Sequence, residues 1–424
     1  IVFPPALWYI ERMKILQCSD SFLPIVDGVG RVVYNYAATL GQMGHESCVC
    51  APMADAGYRG GWPFELVDFW GAPVPGSPQY SMGLPVLDKH YHARMSRIKP
   101  DLVHAHSPFF AGQEALRISL KYDTPLVATF HSKYYDDFYQ ITRGNDRLAS
   151  LGVKLVVEFY GHCDEVWAVS QPSAQVLRTY GFKGDIVVMD NGTDLPPLSP
   201  QERQQAADLI CPQAGEWVLL YVGQMNWKKN ILHILEACAQ LQQEGINFRL
   251  VMTGQGPDQA AIQAKASELG LEARTVFTGH ILDAGLLRGL YQLADLFVFP
   301  SVYDTSSLVL REAAAMETPA VVTLDSCPAE VVRHGENGFL AENTSQDLAR
   351  VIRLALERDD LQAIGANARS TIPIPWSVVV ERALKRYQAL IDTCAHVETR
   401  SRHELLRARI QKYLTRTKSD AKDE

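Results

Sequence analysis

Residues 294–322 read ADLFVFPSVYDTSSLVLREAAAMETPAVV. The run Leu296–Phe299 is short, continuous and apolar, the pattern of a strand buried on both faces of a parallel sheet. Pro300 and Ser301 stop it. Asp304, Thr305, Ser306 and Ser307 are residue types that cap a helix start, so a helix is predicted from there, before a second strand at Ala320–Val322. Such a helix aims its free N–H groups and positive dipole end past the strand ends, an arrangement that suits a diphosphate without a metal. Asp304 and Glu312 are separated by seven residues, which sets the glutamate about two turns along on a nearby face. One carboxylate can then grip a sugar and the other the ribose hydroxyls. Read without context, the same residues are equally a helix cap and a solvated or ion-paired glutamate.

Outward from this segment, strand and helix patterns alternate over most of the chain. Apolar runs at Lys14–Cys18, Glu46–Ala51, Leu102–His106, Leu126–Thr129, Glu165–Ala168 and Ile186–Met189 are separated by helical stretches such as Val32–Met43 and Gln113–Leu120. NGTDLPPLSPQERQ, residues 191–204, concentrates turn formers and prolines and marks a domain boundary. Beyond it the alternation restarts with Trp217–Val222, Phe248–Thr253 and Thr275–Thr278. Two α/β domains are therefore expected: 13–195, Rossmann-like, and 205–375, of the same architecture. A long helix over 376–395 follows, and then a basic helical tail over 396–424.

The 424 residues are consistent with two cores of roughly 150 to 200 residues each. With 47% hydrophobic residues, 21% charged residues and a net charge of −8, the chain is globular and is not covered by a nucleic-acid-binding surface. Its eight cysteines are scattered without a CxxC pair or zinc spacing, which suits free thiols in a reducing cytosol. Neither a membrane span nor a signal peptide is predicted. Folding signals begin at Met13, and residues 1–12 are set aside as an upstream extension.

Taken together, the segment around Asp304 and Glu312 resembles the E-x7-E signature of family 4 of the retaining glycosyltransferases, enzymes of the GT-B fold. Further matches fall in order along nearly the whole chain: Asp27-Gly28, Gly44-His45-Glu46, Asp101 to His106, Thr129-Phe130-His131, Tyr221-Val222-Gly223 with Lys229, Gly254-Gln255-Gly256-Pro257, Phe277-Thr278-Gly279, Ala294-Asp295 and Asn337-Gly338-Phe339. The resemblance implies two Rossmann-like doubly wound domains facing across a cleft, with helix 376–395 crossing back onto the first. It implies transfer of a hexose from a nucleotide-diphosphate sugar, a UDP-hexose favoured over GDP-mannose on commonness alone, to a sugar, glycolipid or lipid acceptor. Anomeric configuration is retained and no metal or other cofactor is required.

Roles follow from the same resemblance. Lys229 pairs with the diphosphate; Gly28, Gly223, Gln224 and Gly254 bring backbone close to the donor; Ser307, Leu308 and Val309 offer their amides; Glu312 takes the ribose. Asp304 contacts the sugar, and His131 lies near the transferred sugar as a hydrogen-bonding group. Bland readings stand beside these: Lys229 as a solvated lysine, Gly28 as a turn glycine, His104 and His106 as strand-end packing rather than a zinc pair. Three departures bear on activity. Gln224 replaces the family's arginine, Asp304 is one methylene shorter than glutamate, and Ser306-Ser307 replaces Phe-Gly. They open the alternatives of a non-catalytic nucleotide-sugar-binding subunit and of a nucleotide-sugar epimerase on the same fold.

On the acceptor side, Tyr58, Trp62, Phe64, Phe69, Trp70, Tyr80, Tyr134, Tyr135, Phe138 and Tyr139 offer aromatic faces for sugar or lipid, or else pack a core. The run FHSKYYDDFYQ, residues 130–140, is similar to a segment of the diacylglycerol-glucosylating branch. The tail carries Leu405, Leu406, Ile410, Tyr413 and Leu414 with Arg400, Arg402, Arg407, Arg409, Lys412, Arg416 and Lys418 around them, a basic amphipathic helix that either lies on an anionic membrane or docks with a solvated basic face. A cytoplasmic protein, peripheral at the inner face of the membrane in the first case, is the expectation.

Overall fold

The computed structural model describes residues 11–23, 27–53, 61–74 and 77–395. The elements are β1 (Lys14–Cys18), α1 (Gly28–Gln42), β2 (Glu46–Pro52), β3 (Glu65–Phe69), β4 (Gly71–Val74), β5 (Ser77–Gly83), α2 (Lys89–Met95), β6 (Leu102–Ala105), α3 (Phe110–Tyr122), β7 (Leu126–Phe130), α4 (Tyr134–Ile141), α5 (Asp146–Gly161), β8 (Glu165–Ala168), α6 (Gln171–Thr179) and β9 (Ile186–Val188). There follow α7 (Pro200–Ile210), β10 (Trp217–Val222), α8 (Ile231–Gln243), β11 (Phe248–Thr253), α9 (Gln259–Glu268), β12 (Thr275–Gly279), α10 (Ala284–Leu293), β13 (Leu296–Phe299), α11 (Leu308–Ala315), β14 (Ala320–Thr323), β15 (Gly338–Ala341), α12 (Ser345–Leu356), α13 (Leu361–Thr371) and α14 (Trp376–Ala395). The chain divides into two compact units after Asn191, and Trp376–Ala395 returns to the first.

The first unit is built on a seven-stranded sheet of order β3-β2-β1-β6-β7-β8-β9, the second on a six-stranded sheet of order β12-β11-β10-β13-β14-β15. All pairings within these two sheets are parallel. Central strands such as LVHA in β6 and LFVF in β13 are buried throughout, because helices cover both faces and leave no side of the pleat to water. In each sheet the strand order turns back once, between β1 and β6 and between β10 and β13. Loops leaving the carboxyl ends of the two strands at such a switch point diverge and open a crevice.

β3, the β4–β5 hairpin and β15 have no counterpart in the sequence reading. β3 interrupts its apolar run with Asp68, whose carboxylate accepts from Arg94 at 2.7 Å, and both β3 and β15 are sheet edges. The Pro-rich stretch 191–204 is also only partly loop, since α7 starts within it at Pro200. Ser199 and Glu202 form a capping box there, and the proline sits in the first turn, where it has no amide to waste. α7 packs on α10 so closely that a Cβ on Gly289 would come within 2.7 Å of Ala206 Cβ and the Glu202 carbonyl oxygen.

α14 buries Trp376, Val379, Val380, Ala383, Leu384 and Tyr387, a single helical stripe. Tyr387 stacks on Trp167 at 5.4 Å and 10°, Trp376 meets Tyr36 edge-on at 5.4 Å, and Arg386 forms a two-bond pair with Glu165 at 2.6 and 2.7 Å. The basic tail expected after it lies outside the described residues. Among the described residues no helix is long and apolar enough to cross a membrane.

Candidate active site

In the second unit the switch-point loops are 223–230, after β10, and 300–307, after β13. Two glycines decide where the first of these begins. Gly254, after β11, has φ +134°, a conformation closed to side-chain-bearing residues, and a Cβ on it would stand 1.9 Å from the Gly223 carbonyl oxygen. Gly256 fits as tightly against the Met225 carbonyl oxygen, at 2.3 Å. The glycines of the Gly-Gln-Gly-Pro run therefore let the β10 and β11 loops lie against each other. Asn226 then caps a short 3-10 turn at Trp227–Lys229, and Asn230, at φ 56°, donates through Nδ2 to the Pro300 carbonyl at 2.9 Å. That bond ties the two switch-point loops together.

Lys229 leaves the turn toward the loop after β13. Its Nζ lies 2.8 and 2.9 Å from the two Asp304 carboxylate oxygens and 4.9 Å from the centre of the Tyr303 ring. The Ser301 hydroxyl also donates to Asp304. Lys228 reaches the same ring, its Nζ 5.2 Å from the centre. The residues named separately in the sequence as a diphosphate cation and a sugar-side carboxylate are thus one ion pair here. Tyr221, fully buried, donates to the Gln224 carbonyl at 3.0 Å; burial first, then the Asp304 charge, push its ionisation well above the ordinary phenol range. The Gln224 side chain is exposed.

α11 opens with Ser307 as its N-cap, the hydroxyl accepting from Leu310 N–H at 3.2 Å. The amides of Leu308 and Val309 occupy the first turn, where a helix has no internal acceptor for them. Glu312 is 3% exposed, and its Oε2 accepts from the Tyr291 hydroxyl of α10 at 3.0 Å. Sequence reasoning missed Tyr291. Only its place on the helix packed against α11 marks it, and that packing was not visible from one strand of text.

Gly28 and His131 belong to the first unit. Gly28 is the first residue of α1, whose N-cap Asp27 accepts from Gly30 N–H and from the Ser21 hydroxyl, both at 2.6 Å. A Cβ on Gly28 would meet no protein atom within 4 Å, so packing does not demand the glycine. His131 follows β7, is 7% exposed, and has its Nε2 3.1 Å from His106 Nδ1. Burial lowers its pKa to about 3, which leaves a neutral imidazole over the physiological range. Among the described residues, no group of three or more His, Cys, Asp or Glu is placed to hold a metal ion.

The aromatic set read as an acceptor surface separates into two kinds. Trp62 and Phe64 stack at 6.1 Å and pack with Phe22 and Tyr34; Phe69 and Tyr134 are buried in the core. Trp70, 58% exposed, and Tyr139, 44% exposed, present surface. Tyr58 and the side chain of Tyr80 lie outside what is described.

Residues 26–196 match the model of Glycosyltransferase Family 4, and residues 211–371 that of Glycosyl transferases group 1. Alpha-monoglucosyldiacylglycerol synthase from Acholeplasma laidlawii is 24% identical over 392 residues, which cover 90% of this chain and 98% of that enzyme. Sucrose-phosphate synthase from Thermosynechococcus elongatus superposes with a TM-score of 0.75 at 19% identity, over 90% of this chain and 100% of the other. HepE from Anabaena, in complex with UDP and glucose, does so with 0.69 at 22% identity, over 88% and 99%. The two sheets and these likenesses define a GT-B glycosyltransferase. The chain belongs to glycosyltransferase family 4, with the Family 4 domain in its first unit and the group 1 domain in its second.

Proposed function

We propose that this enzyme transfers a hexose from a UDP-sugar to a lipid or carbohydrate acceptor, with retention at the anomeric carbon and without a metal. The observation that carries the donor side is the Lys229–Asp304 pair at the β10/β13 switch point, on the approach to the amino end of α11. A diphosphate there meets an ammonium and the first-turn amides of Leu308 and Val309. These are fixed positive groups of the kind that stabilise a departing oxyanion. Glu312, with one oxygen held by Tyr291, keeps acceptor capacity for ribose hydroxyls. Gly223, Gln224 and Gly254 shape the backbone beside the phosphates. The structure of HepE with UDP and glucose supports a uridine donor, and the name of the Acholeplasma relative supports a diacylglycerol-based acceptor.

In the reaction so proposed, the bond from the sugar's anomeric carbon to the β-phosphate oxygen breaks while the acceptor oxygen bonds to the same face. The acceptor proton passes to the departing phosphate oxygen. Lys229 and the α11 amides take up the charge released, and neutral His131 hydrogen-bonds the sugar. Incubation with UDP-glucose and a glucosyl-diacylglycerol, with and without EDTA, followed by proton NMR of the product anomer, tests this. A β-linked product, or activity that vanishes with EDTA, overturns it.

Gln224 favours one second reading, a subunit that binds nucleotide sugars without turnover, because the family's guanidinium fork is replaced by an exposed amide. Calorimetry with UDP beside a donor-hydrolysis assay separates the two. Peripheral membrane contact through the basic tail is proposed with the lipid acceptor. Truncation after Thr399 abolishes co-sedimentation with anionic vesicles if the tail is responsible, and unchanged binding removes it from that role.

A further inference from the structure

We propose that Gln17 is a positioning residue for His131 and acts on it through His106. The inference rests on the reading of His131 as a group facing the transferred sugar. Gln17 lies on β1, His106 follows β6 and His131 follows β7, so three adjacent strands set the side chains in a row. Water hardly reaches them: Gln17 is 0% exposed, His106 1% and His131 7%. Gln17 Oε1 lies 2.7 Å from His106 Nε2, and His106 Nδ1 lies 3.1 Å from His131 Nε2.

The direction of each bond follows from what the atoms can do. An amide oxygen only accepts, so His106 carries its proton on Nε2. Burial holds both imidazoles neutral, and a neutral ring protonated at Nε2 has a bare Nδ1. That bare nitrogen also only accepts, so the proton between the two rings belongs to His131 Nε2. His131 is thereby held as the Nε2–H tautomer with an unprotonated Nδ1. Which nitrogen of a sugar-side imidazole carries hydrogen is decided two side chains away, by the end of a buried amide that faces His106.

Two further observations fit an orienting role. The rings are wedged: His106 stacks on His131 at 5.3 Å and 25°, while His104 and Tyr36 close on it at 4.1 and 5.7 Å. His104 itself bonds the Tyr387 hydroxyl at 2.6 Å and Thr129 Oγ1 at 2.7 Å, and so does not compete for the protons of the row. Secondly, Gln17 Nε2 is buried and completes no hydrogen bond. An apolar residue would fill this point of β1 without leaving a buried donor unbonded. What the amide adds here is its bond to His106.

The test uses the full chain with histidines labelled in 15N, long-range proton–nitrogen spectra, and His131→Ala to assign the resonances. The wild-type spectrum shows His131 protonated at Nε2 and bare at Nδ1; an Nδ1–H tautomer overturns the proposal. Gln17→Met removes the acceptor, so His131 becomes a mixture of tautomers. With the hydrogen bond to the transition state misdirected, kcat falls about tenfold while the donor KM changes by less than about twofold. Gln17→Glu restores an acceptor and recovers the tautomer and most of the rate. Thr129→Val, which disturbs only the His104 branch, leaves the His131 spectrum unchanged. A His131 spectrum unaltered in Gln17→Met sinks the relay, and if that variant does not fold, the wild-type and Gln17→Glu spectra decide. Full activity in His131→Ala removes the sugar-side reading but leaves the tautomer result standing on its own.

Discussion

Replacing Tyr291 with Phe deletes a single hydroxyl and tests how Glu312 is held. The phenol donates to Glu312 Oε2 at 3.0 Å, and Glu312 is 3% exposed, so water cannot replace the lost donor at no cost. A hydrogen bond to a charged group contributes about 1.5–3 kcal/mol, equivalent to roughly 10- to 150-fold in an equilibrium constant. Part of that loss appears as lower stability of the second unit, so the lower figure applies to binding: UDP affinity by titration calorimetry falls about tenfold in Tyr291→Phe. If Glu312 takes the ribose hydroxyls as proposed, Glu312→Ala loses two contacts of the same kind and weakens UDP by about 100-fold or more. If Tyr291 acts by orienting the carboxylate, the double variant binds no worse than Glu312→Ala, and the cycle gives a coupling of about 1.4 kcal/mol. Additive losses would mean that Tyr291 contributes independently. Wild-type UDP affinity in a folded Glu312→Ala refutes the donor-site assignment altogether.

Three further outcomes are expected. Lys229→Gln removes the ammonium proposed to take the diphosphate, so kcat falls by about 100-fold and UDP affinity loses much of its salt dependence; equal salt dependence in both proteins would show that another cation does the work. Gly254→Ala forces a Cβ to within 1.9 Å of the Gly223 carbonyl oxygen at φ +134°, costing about 3 kcal/mol or more, and a melting temperature within a degree of wild type would contradict it. Asp20 accepts from the Ser107 hydroxyl at 2.5 Å and from Ala111 N–H at 2.8 Å, but burial raises its pKa to about 6. Its folded form holds a proton that the unfolded chain has already released, so this carboxyl costs stability progressively as pH rises from about 4 to 6, by up to about 3 kcal/mol. Asp20→Asn lacks that slope: relative to wild type its denaturation midpoint rises between pH 4 and pH 7, and parallel curves would refute the assignment.

Much of the fold was legible because its central strands are continuous apolar runs that a doubly covered parallel sheet demands. β1, β8, β10, β11 and β13 begin and end where the periodicity places them. Edges were harder. β3 alternates buried apolar residues with a charged one, β15 is four residues long, and each is specified by a neighbouring strand rather than by its own pattern. α7 was hidden by prolines that punctuate a loop and equally start a helix; Ser199 and Glu202, three apart, were the signal that could have distinguished them. At the site, the order of Lys229, Asp304 and Glu312 along the chain was readable. Their partners were not. Tyr291 and Gln17 come from other elements, and a hydrogen bond across elements leaves no spacing in the sequence.

The Lys229–Asp304 pair is a closed electrostatic circuit. An ammonium already matched by a carboxylate at 2.8 Å exerts little field on a passing monoanion, which could only exchange one carboxylate-like partner for another. If Lys229 takes the diphosphate as proposed, the phosphates compete with Asp304 for the ammonium and leave that carboxylate to hydroxyl groups. On the proposed donor site, the pair therefore asks for a ligand that answers both halves at once, phosphate oxygens for the ammonium and hydroxyls for the carboxylate.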